Sequence, residues 1–198
     1  QTDASTYAAT STEQLPETAT IVVTSQWGDE HQASYSIYPV YIRLATGTDH
    51  ISWHASVSSA VDAVGSSGQG IITVFKEKVT EATVVIDAGE ELTIEPAEPI
   101  APVTFDGENS HRVFKISNNA SVTLNNLTIT NGDANGSDGG GIYLDGATLT
   151  ISSCTLESNT ANNFGGALST TVSGANALFV RDSTLTANTS NIAGGAIY

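Results

Sequence analysis

The chain has 198 residues, of which 39% are hydrophobic, and it carries a formal net charge of −15 at pH 7. The charge is uneven: residues 1–110 contain 16 acidic and 3 basic residues (net −13), and residues 111–198 contain 5 and 3 (net −2). Such an acidic surface repels phosphate backbones, which excludes nucleic acid as a partner. No apolar run approaches the ~20 residues of a membrane-spanning helix, so no direct membrane span is predicted in this chain.

The N-terminal region is predicted to hold a leader and a short β segment. Residues 1–20 are rich in Thr and Ala, which predicts a flexible leader. Residues 21–50 form the β segment, with strand-like runs "TIVVTSQW" and "VYIRL" on either side of a polar turn. The stretches "VTSQWGD" and "YPVYIRL" resemble the opening strands of the Cna-B type β-sandwich modules of Gram-positive surface proteins, over residues 19–44 only.

A short amphipathic helix is predicted at residues 56–65, near the start of a β-helix domain that covers residues 51–198. The stretch "SVSSAVDAVG" places four apolar side chains at helical spacing, with Ser56 at the start and Gly65 as a stop. We expect this helix to cap the N-terminal end of a solenoid, where strand edges and apolar side chains would otherwise be exposed.

Three segments repeat along the second half of the chain, at residues 120–143, 147–168 and 176–198. Apolar residues alternate with polar ones, as at Val122 and Leu124, which is the period of a short strand with one buried face. No unit can bury its apolar face without a neighbour. The predicted fold is all-β, a right-handed parallel β-helix with three short strands per coil, and about five to six coils are expected.

Two sets of residues in the clear repeats of residues 120–198 are predicted to be structural. Three asparagines are aligned by the repeat and are expected to stack as a ladder: Asn131, Asn159 and Asn188. Glycine pairs are expected to turn tight corners with positive φ, followed by a small residue in the narrow interior. These pairs are Gly140 and Gly141, Gly165 and Gly166, and Gly194 and Gly195.

The later units carry motifs of a known repeat. The pairs "LESN" with "GGAL" and "LTAN" with "GGAI" are similar to the F-x-x-N and G-G-A-[ILV] motifs of the chlamydial polymorphic membrane protein repeat, with Leu in place of Phe. The stretch "VTFDGENSHRVFKISNNASVTLNNLTITNG" resembles the early coils of pectin-lyase-like β-helix proteins. These resemblances imply a secreted or cell-surface protein of a bacterium or archaeon, such as an outer-membrane autotransporter passenger or a wall-attached adhesin that acts as a virulence factor. We expect the chain to be the N-terminal part of a longer, C-terminally truncated solenoid.

An enzyme of this architecture would need acidic residues gathered on one outer face, with Ca²⁺ and a basic residue for a lyase or two spaced carboxylates for a hydrolase. The best group is Asp133, Asp138 and Asp145, on the long turn of the first unit, a candidate Ca²⁺ site. Nothing nearby predicts a catalytic base. No catalytic residue is therefore assigned, the chain is predicted not to be an enzyme, and no cofactor other than this Ca²⁺ is expected.

Histidine and cysteine chemistry is not predicted. The four histidines, His31, His50, His54 and His111, lack a metal-ligand pattern, and Ile51 and Trp53 between the middle two favour a strand. The single cysteine, Cys154, excludes a disulfide within the chain and a cysteine-rich zinc site. Its apolar neighbours predict a buried small hydrophobe rather than a reactive thiol.

The expected function is a non-catalytic, structural and adhesive β-helix that contacts a glycan or protein on a host or neighbouring cell. Two alternatives stay open. One is a polysaccharide lyase or hydrolase of the pectin-lyase-like fold, with its site in coils outside this sequence. The other is a glycan- or ice-binding solenoid that uses outward threonines. Aligned carboxylates with one basic residue would favour the enzyme, whereas polar ladders favour the adhesin.

Overall fold

A computed structural model describes the chain in two parts. It gives the backbone of residues 19–24 and 30–35, and backbone and side chains of residues 42–47, 50–66, 68–98, 102–171 and 177–198. The chain divides into two compact units, Gln1–Pro39 and Val40–Tyr198. Residues 1–18 of the predicted leader lie outside the described residues.

The described part of the first unit is an antiparallel strand pair. Strand β1 (Ala19–Thr24) pairs with β2 (Glu30–Tyr35), with Ala19 opposite Tyr35. The sequence predicted β1, but it predicted a polar turn where β2 lies. The segment "EHQASY" has no apolar alternation, so a pattern based on burial does not detect a strand that is defined by backbone pairing.

The second unit begins with two antiparallel strands, β3 (Ile42–Thr46) and β4 (His50–His54). Strand β3 also pairs antiparallel with β5 (Gln69–Val74), the first strand of the solenoid. Its Ile42 and Leu44 are buried in the solenoid core. The structural division therefore falls after Pro39 rather than at residue 51, and β3 and β4 extend a solenoid sheet.

Helix α1 (Val57–Val64) lies within the segment predicted to be helical. The Ser56 side chain accepts a hydrogen bond from the Ser59 N–H at 3.0 Å, and the Ser59 Oγ accepts one from the Ser56 N–H at 3.4 Å, which makes a capping box. Gly65, at φ 72°, ends the helix. The buried residues Val57, Ala60 and Val61 belong to the same apolar cluster as the solenoid core, and α1 contacts β3 and β5, so the helix covers one end of that core.

The solenoid is a stack of five levels; the first three contain three short strands each, level four has an additional short strand, and level five continues the third sheet only through the bridge of Leu168 with Ile197. Level one contains β5, β6 (Lys78–Val79) and β7 (Val84–Ile86). Level two contains β8 (Glu91–Pro96), β9 (Val103–Asp106) and β10 (Phe114–Ser117). Level three contains β11 (Ser121–Asn125), β12 (Leu127–Thr130) and β13 (Ile142–Asp145). Level four contains β14 (Thr148–Ser152), β15 (Thr155–Glu157), the short β16 (Thr160–Ala161) and β17 (Leu168–Thr170). Level five contains β18 (Ala177–Arg181), β19 (Thr184–Thr186) and β20 (Thr189–Ser190).

Like strands of successive levels pair in parallel, which confirms the predicted parallel β-helix. They form a seven-stranded sheet (β18-β14-β11-β8-β5-β3-β4), a five-stranded sheet (β19-β15-β12-β9-β6), a four-stranded sheet (β17-β13-β10-β7) and the pair β16-β20. The five levels make about four turns. This is fewer than the five to six coils expected.

The core consists of apolar side chains stacked in register. Leu124 lies beside Ile94 on one side and Ile151 on the other, and each is at most 1% exposed. The rings of Phe105 and Phe114, from two sheets of level two, lie 5.0 Å apart between centroids. Full burial of one such side chain stabilises the fold by roughly 1.5–3 kcal/mol. This core holds the three sheets rigid and fixes the outward side chains at regular spacing.

Candidate functional site

The outward side chains of the seven-stranded sheet form one continuous surface, which we call the outer face. Its middle column crosses all seven strands in register: Ile51, Ala45, Ile71, Thr93, Thr123, Thr150 and Phe179. Three threonines therefore occupy the centre. Apolar side chains lie towards both ends, with Ile51 53% and Phe179 47% exposed.

Two further columns flank the middle one. On one side lie Gln69, Glu91, Ser121, Thr148 and Ala177. On the other side Trp53, Arg43, Thr73 and Glu95 are aligned, and the Trp53 ring lies 5.2 Å from that of Phe75. The outer face thus combines hydroxyl, carboxamide and carboxylate groups with an exposed aromatic ring.

A shallow groove of about 360 Å³ crosses the outer face over strands β5, β8 and β11. Gln69, Glu91, Thr93 and Thr123 line it together with Ile71. The Nε2 of Gln69 donates a hydrogen bond to Oε2 of Glu91 at 2.6 Å, which ties the carboxamide to the carboxylate across two strands.

A second hydroxyl column lies on the five-stranded sheet. Thr104, Thr128, Thr155 and Thr184 follow one another on β9, β12, β15 and β19, after Lys78 on β6. The next outward column alternates acidic residues with threonines: it contains Asp106, Thr130, Glu157 and Thr186. This sheet therefore has one regular threonine column beside a mixed one.

Asp106 is the most strongly engaged acid on that sheet. Its Oδ2 lies 2.7 Å from Nζ of Lys78, and its Oδ1 accepts hydrogen bonds from the Glu108 N–H at 2.8 Å and from Nδ2 of Asn131 at 3.0 Å. Burial acts to raise the pKa of Asp106, but the Lys78 ammonium and these hydrogen bonds outweigh it and lower the pKa. The same contact raises the pKa of Lys78.

The three aspartates of the candidate Ca²⁺ site are not brought together. Oδ1 of Asp133 accepts from the Asn135 N–H at 2.8 Å, and Oδ1 of Asp145 accepts from the Thr171 hydroxyl at 2.8 Å. Asp138 is half-buried, and its buried Oδ1 has no hydrogen-bond partner among the described residues. Within those residues no group of three or more His, Cys, Asp or Glu side chains is arranged to hold a metal.

Arg112 donates hydrogen bonds to the backbone of the same turn. Its Nε donates to the carbonyl oxygen of Gly139 at 2.8 Å, and its Nη2 donates to the carbonyl oxygen of Asp138. The guanidinium carbon lies 4.9 Å from the ring centroid of Tyr143. Burial lowers the pKa of Arg112. The cation is thus used to hold the backbone between levels two and three.

The asparagine ladder contains Asn159 and Asn188, but not Asn131. Strand pairing aligns Asn159 with Gly132, so Asn131 falls in the column of Ser158 and Ala187, all three at φ 51–56°. Asn159 is fully buried, and its Oδ1 accepts from the Gly132 N–H at 2.8 Å. Asn131 instead reaches Asp106. The predicted alignment was one residue out, since the first unit is one residue shorter at this point.

The glycine pairs stack as predicted in levels four and five and are shifted by one in level three. Positive φ occurs at Gly139, Gly165 and Gly194, so Gly139 is the corner residue that the sequence assigned to Gly140. Gly140 stacks with Gly166 and Gly195, and Gly141 takes the place of Ala167 and Ala196. A Cβ on Gly140 would lie 2.3 Å from the Thr160 carbonyl oxygen, so close stacking, not φ, requires glycine there.

Cys154 is buried, as expected from its apolar neighbours, with 1% exposure. Its Sγ lies 3.4 Å from the Leu127 N–H and 3.2 Å from the Ser152 carbonyl oxygen. Burial raises the pKa of the thiol, which disfavours the nucleophilic thiolate.

The histidines occupy separate places. His50 and His54 lie at the two ends of β4, the strand that Ile51 and Trp53 predicted. His54 Nε2 lies 2.8 Å from the Ser52 hydroxyl, and His111 Nδ1 lies 3.0 Å from the carbonyl oxygen of Arg112. His31 lies in β2, where only the backbone is described.

The groove residues Gln69 and Glu91 were missed by the sequence interpretation. They precede the clear repeats, and a search for acidic clusters does not single out one carboxylate beside one carboxamide. The signal was the alternation of "QGIITV" and "ELTIEP", which places Gln69 and Glu91 at equivalent outward positions once the strands are paired.

Comparisons with other proteins add no assignment. No protein-family model matches the chain. Neither the comparison with curated proteins nor that with solved structures finds a match. Among the described residues, no helix is long and apolar enough to cross a membrane.

Proposed function

We propose that the chain is a non-catalytic, adhesin-like β-solenoid of a secreted or cell-surface protein, and that its outer face binds a glycan or protein on a host or neighbouring cell. The observation that carries this proposal is the outer face itself. Seven strands at about 4.8 Å spacing extend over roughly 29 Å, and the outward groups stay in register along that length. A rigid surface of this kind loses little conformational entropy when it binds.

The chemistry of the outer face also supports binding. Threonine hydroxyls at the centre supply donors and acceptors, while Ile51, Trp53 and Phe179 supply exposed apolar area. Exposed aromatic and aliphatic groups beside fixed polar groups are typical of recognition surfaces. The net charge of −15 disfavours nucleic acid and other polyanions as partners.

We further propose that the repeats belong with the polymorphic membrane protein type of pectin-lyase-like surface protein, in a bacterium or archaeon. The support is that the motif residues are stacked. Leu156 pairs with Leu185, Asn159 contacts Asn188, and Gly165 accompanies Gly194 at positive φ. A secreted or outer-membrane location follows from that relationship, and the chain acts without a cofactor.

The test is binding of the purified protein to a broad panel of glycans and host-matrix proteins, with and without Ca²⁺, followed by an assay for released unsaturated or reducing sugar ends. Binding without turnover, unchanged by Ca²⁺, is the expected result. Turnover would replace this proposal with a polysaccharide lyase or hydrolase, and absence of binding to the whole panel would refute the adhesive role. Ca²⁺-dependent binding would contradict the cofactor-free mechanism.

A second candidate is an ice-binding solenoid, which the threonine column Thr104, Thr128, Thr155 and Thr184 favours. In-register hydroxyls at one strand spacing can order water along a flat sheet. Thermal hysteresis of a protein solution measures this directly. A hysteresis that is lost in Thr128→Leu would favour ice binding over adhesion, and no hysteresis would eliminate the candidate.

A further inference from the structure

The groove on the outer face has the composition of a small binding site. Its floor is apolar, with Ala45 and a half-exposed Ile71 in the middle column. Its far end carries hydroxyls, from Thr93 and Thr123 on adjacent strands. A ligand with both hydroxyl groups and an apolar C–H face, such as a sugar ring, fits this combination of surfaces.

Glu91 is the one charged side chain among the residues that line the groove. The Gln69 carboxamide holds Oε2 of Glu91, while Oε1 has no hydrogen-bond partner among the described residues. An oriented carboxylate with an open oxygen favours a cationic donor, because charge-assisted hydrogen bonds are roughly twice as strong as neutral ones.

The wider charge distribution favours the same ligand. The described residues between 42 and 110 contain ten acidic and three basic residues (net −7), and on the outer face Glu95 of β8 adds a second carboxylate, two strands from Arg43. Such a field attracts cations and repels polyanions. Uronic-acid glycans are thereby disfavoured, and glycans with free amino groups are favoured.

We propose that this groove binds an amino-sugar glycan. Its ammonium group pairs with Glu91, its hydroxyls bond to Thr93 and Thr123, and the apolar face of the ring packs on Ile71. This inference rests on the proposed adhesive function, and it names the ligand class of the same face.

The experiment measures binding of three tetrasaccharides to the purified protein by calorimetry: a glucosamine oligomer, its N-acetylated counterpart and a galacturonic acid oligomer. The first two differ only in the charge and acetylation of the amine. The glucosamine oligomer should bind at least about tenfold more tightly than the acetylated one, and the galacturonate should not bind. Equal affinity for the first two would overturn the proposal.

Two variants locate the site. Glu91→Gln should weaken binding of the glucosamine oligomer by about tenfold, while Glu157→Gln, which removes an equal charge from the five-stranded sheet, should leave it unchanged. Equal effects of the two variants would show non-specific attraction and overturn the proposal. A tetralysine peptide that binds as tightly, with the same dependence on Glu91, would also overturn it, because the groove would then recognise charge without sugar.

The binding results distinguish failure of the amino-sugar proposal from failure of the proposed adhesive function. If other glycans or matrix proteins bind and the glucosamine oligomer does not, the amino-sugar assignment is wrong and the adhesive role stands. If nothing in the panel binds, the adhesive role itself is wrong.

Discussion

Asn159 and Asn188 occupy the same position in consecutive levels, with Nδ2 of Asn159 3.0 Å from Oδ1 of Asn188. The buried Asn159 side chain also donates to the Ile129 carbonyl oxygen at 3.0 Å and accepts from the Gly132 N–H at 2.8 Å. One carboxamide therefore joins three levels of the solenoid and bonds to backbone groups of level three.

Replacing this carboxamide should destabilise the fold. In Asn159→Ala the Gly132 N–H and the Ile129 carbonyl lose their side-chain partner in a dry interior, and we expect a loss of about 2–5 kcal/mol in the free energy of unfolding. Urea denaturation measures it. Asn162→Ala, at an exposed asparagine just after β16, is the control and should change stability by under about 0.5 kcal/mol. Equal effects would contradict the ladder.

The glycine column should tolerate no side chain. In Gly140→Ala the new Cβ would lie 2.3 Å from the Thr160 carbonyl oxygen, a backbone atom that cannot rotate away, so we expect a loss of about 3 kcal/mol or more. Gly136→Ala is the comparison, because that Cβ would meet nothing within 4 Å and only the φ of 89° is unfavourable. A milder effect at residue 140 than at residue 136 would refute the close-stacking argument.

The contact between Asp106 and Lys78 should make stability depend on acid pH. Because the folded-state pKa of Asp106 is lowered, its contribution is fully present above the ordinary carboxyl pKa and is lost as pH falls from about 4 through the folded value. Asp106→Asn should therefore flatten the decline of unfolding free energy below about pH 4. Chemical denaturation over a pH series measures this, and a decline as steep as in the unmodified protein would assign the acid sensitivity to other groups.

The cap helix should depend on a carboxylate from the first level. Oε1 of Glu81 accepts from the Val57 N–H at 2.9 Å, and Oε2 accepts from the Ser58 N–H at 3.0 Å. Glu81→Ala leaves two helix N–H groups unpaired and should weaken α1 by about 1–2 kcal/mol, seen as faster amide hydrogen exchange in α1. Glu77→Ala, at an exposed glutamate, should leave that exchange unchanged. Unaltered exchange in the Glu81 variant would contradict this role.

The sequence predicted those parts of the fold in which local pattern and burial coincide. Alternation at Val122 and Leu124, and the Ser56 and Gly65 boundaries of the helix, indicated strands and cap correctly because each signal lies within one element. The register between successive levels was harder to predict from the sequence. A turn that is one residue shorter moved Asn131 out of the ladder and Gly139 into the corner, and only the pairing of strands fixes that shift.

The candidate site was harder still to predict, for a physical reason. The outer face gathers Gln69, Thr93 and Thr123 from three levels, and neighbours across a parallel sheet are more than twenty residues apart in sequence. The predicted aspartates are close in sequence, and among the described residues no group of three such side chains is arranged to hold a metal. Proximity on a sheet of the solenoid follows the coil period, so a search for acids clustered in sequence does not find the residues of this face.

The most direct test of the account is whether the outer face is the contact surface. The panel ligand with the highest affinity is titrated against the unmodified protein and two variants that each add a bulky positive charge, Thr123→Arg on the outer face and Asn162→Arg on the exposed turn after β16. We expect Thr123→Arg to lower the affinity by at least about a hundredfold, which corresponds to about 2.8 kcal/mol, while Asn162→Arg binds like the unmodified protein. Full affinity in a folded Thr123→Arg variant would show that recognition occurs elsewhere and would contradict the account.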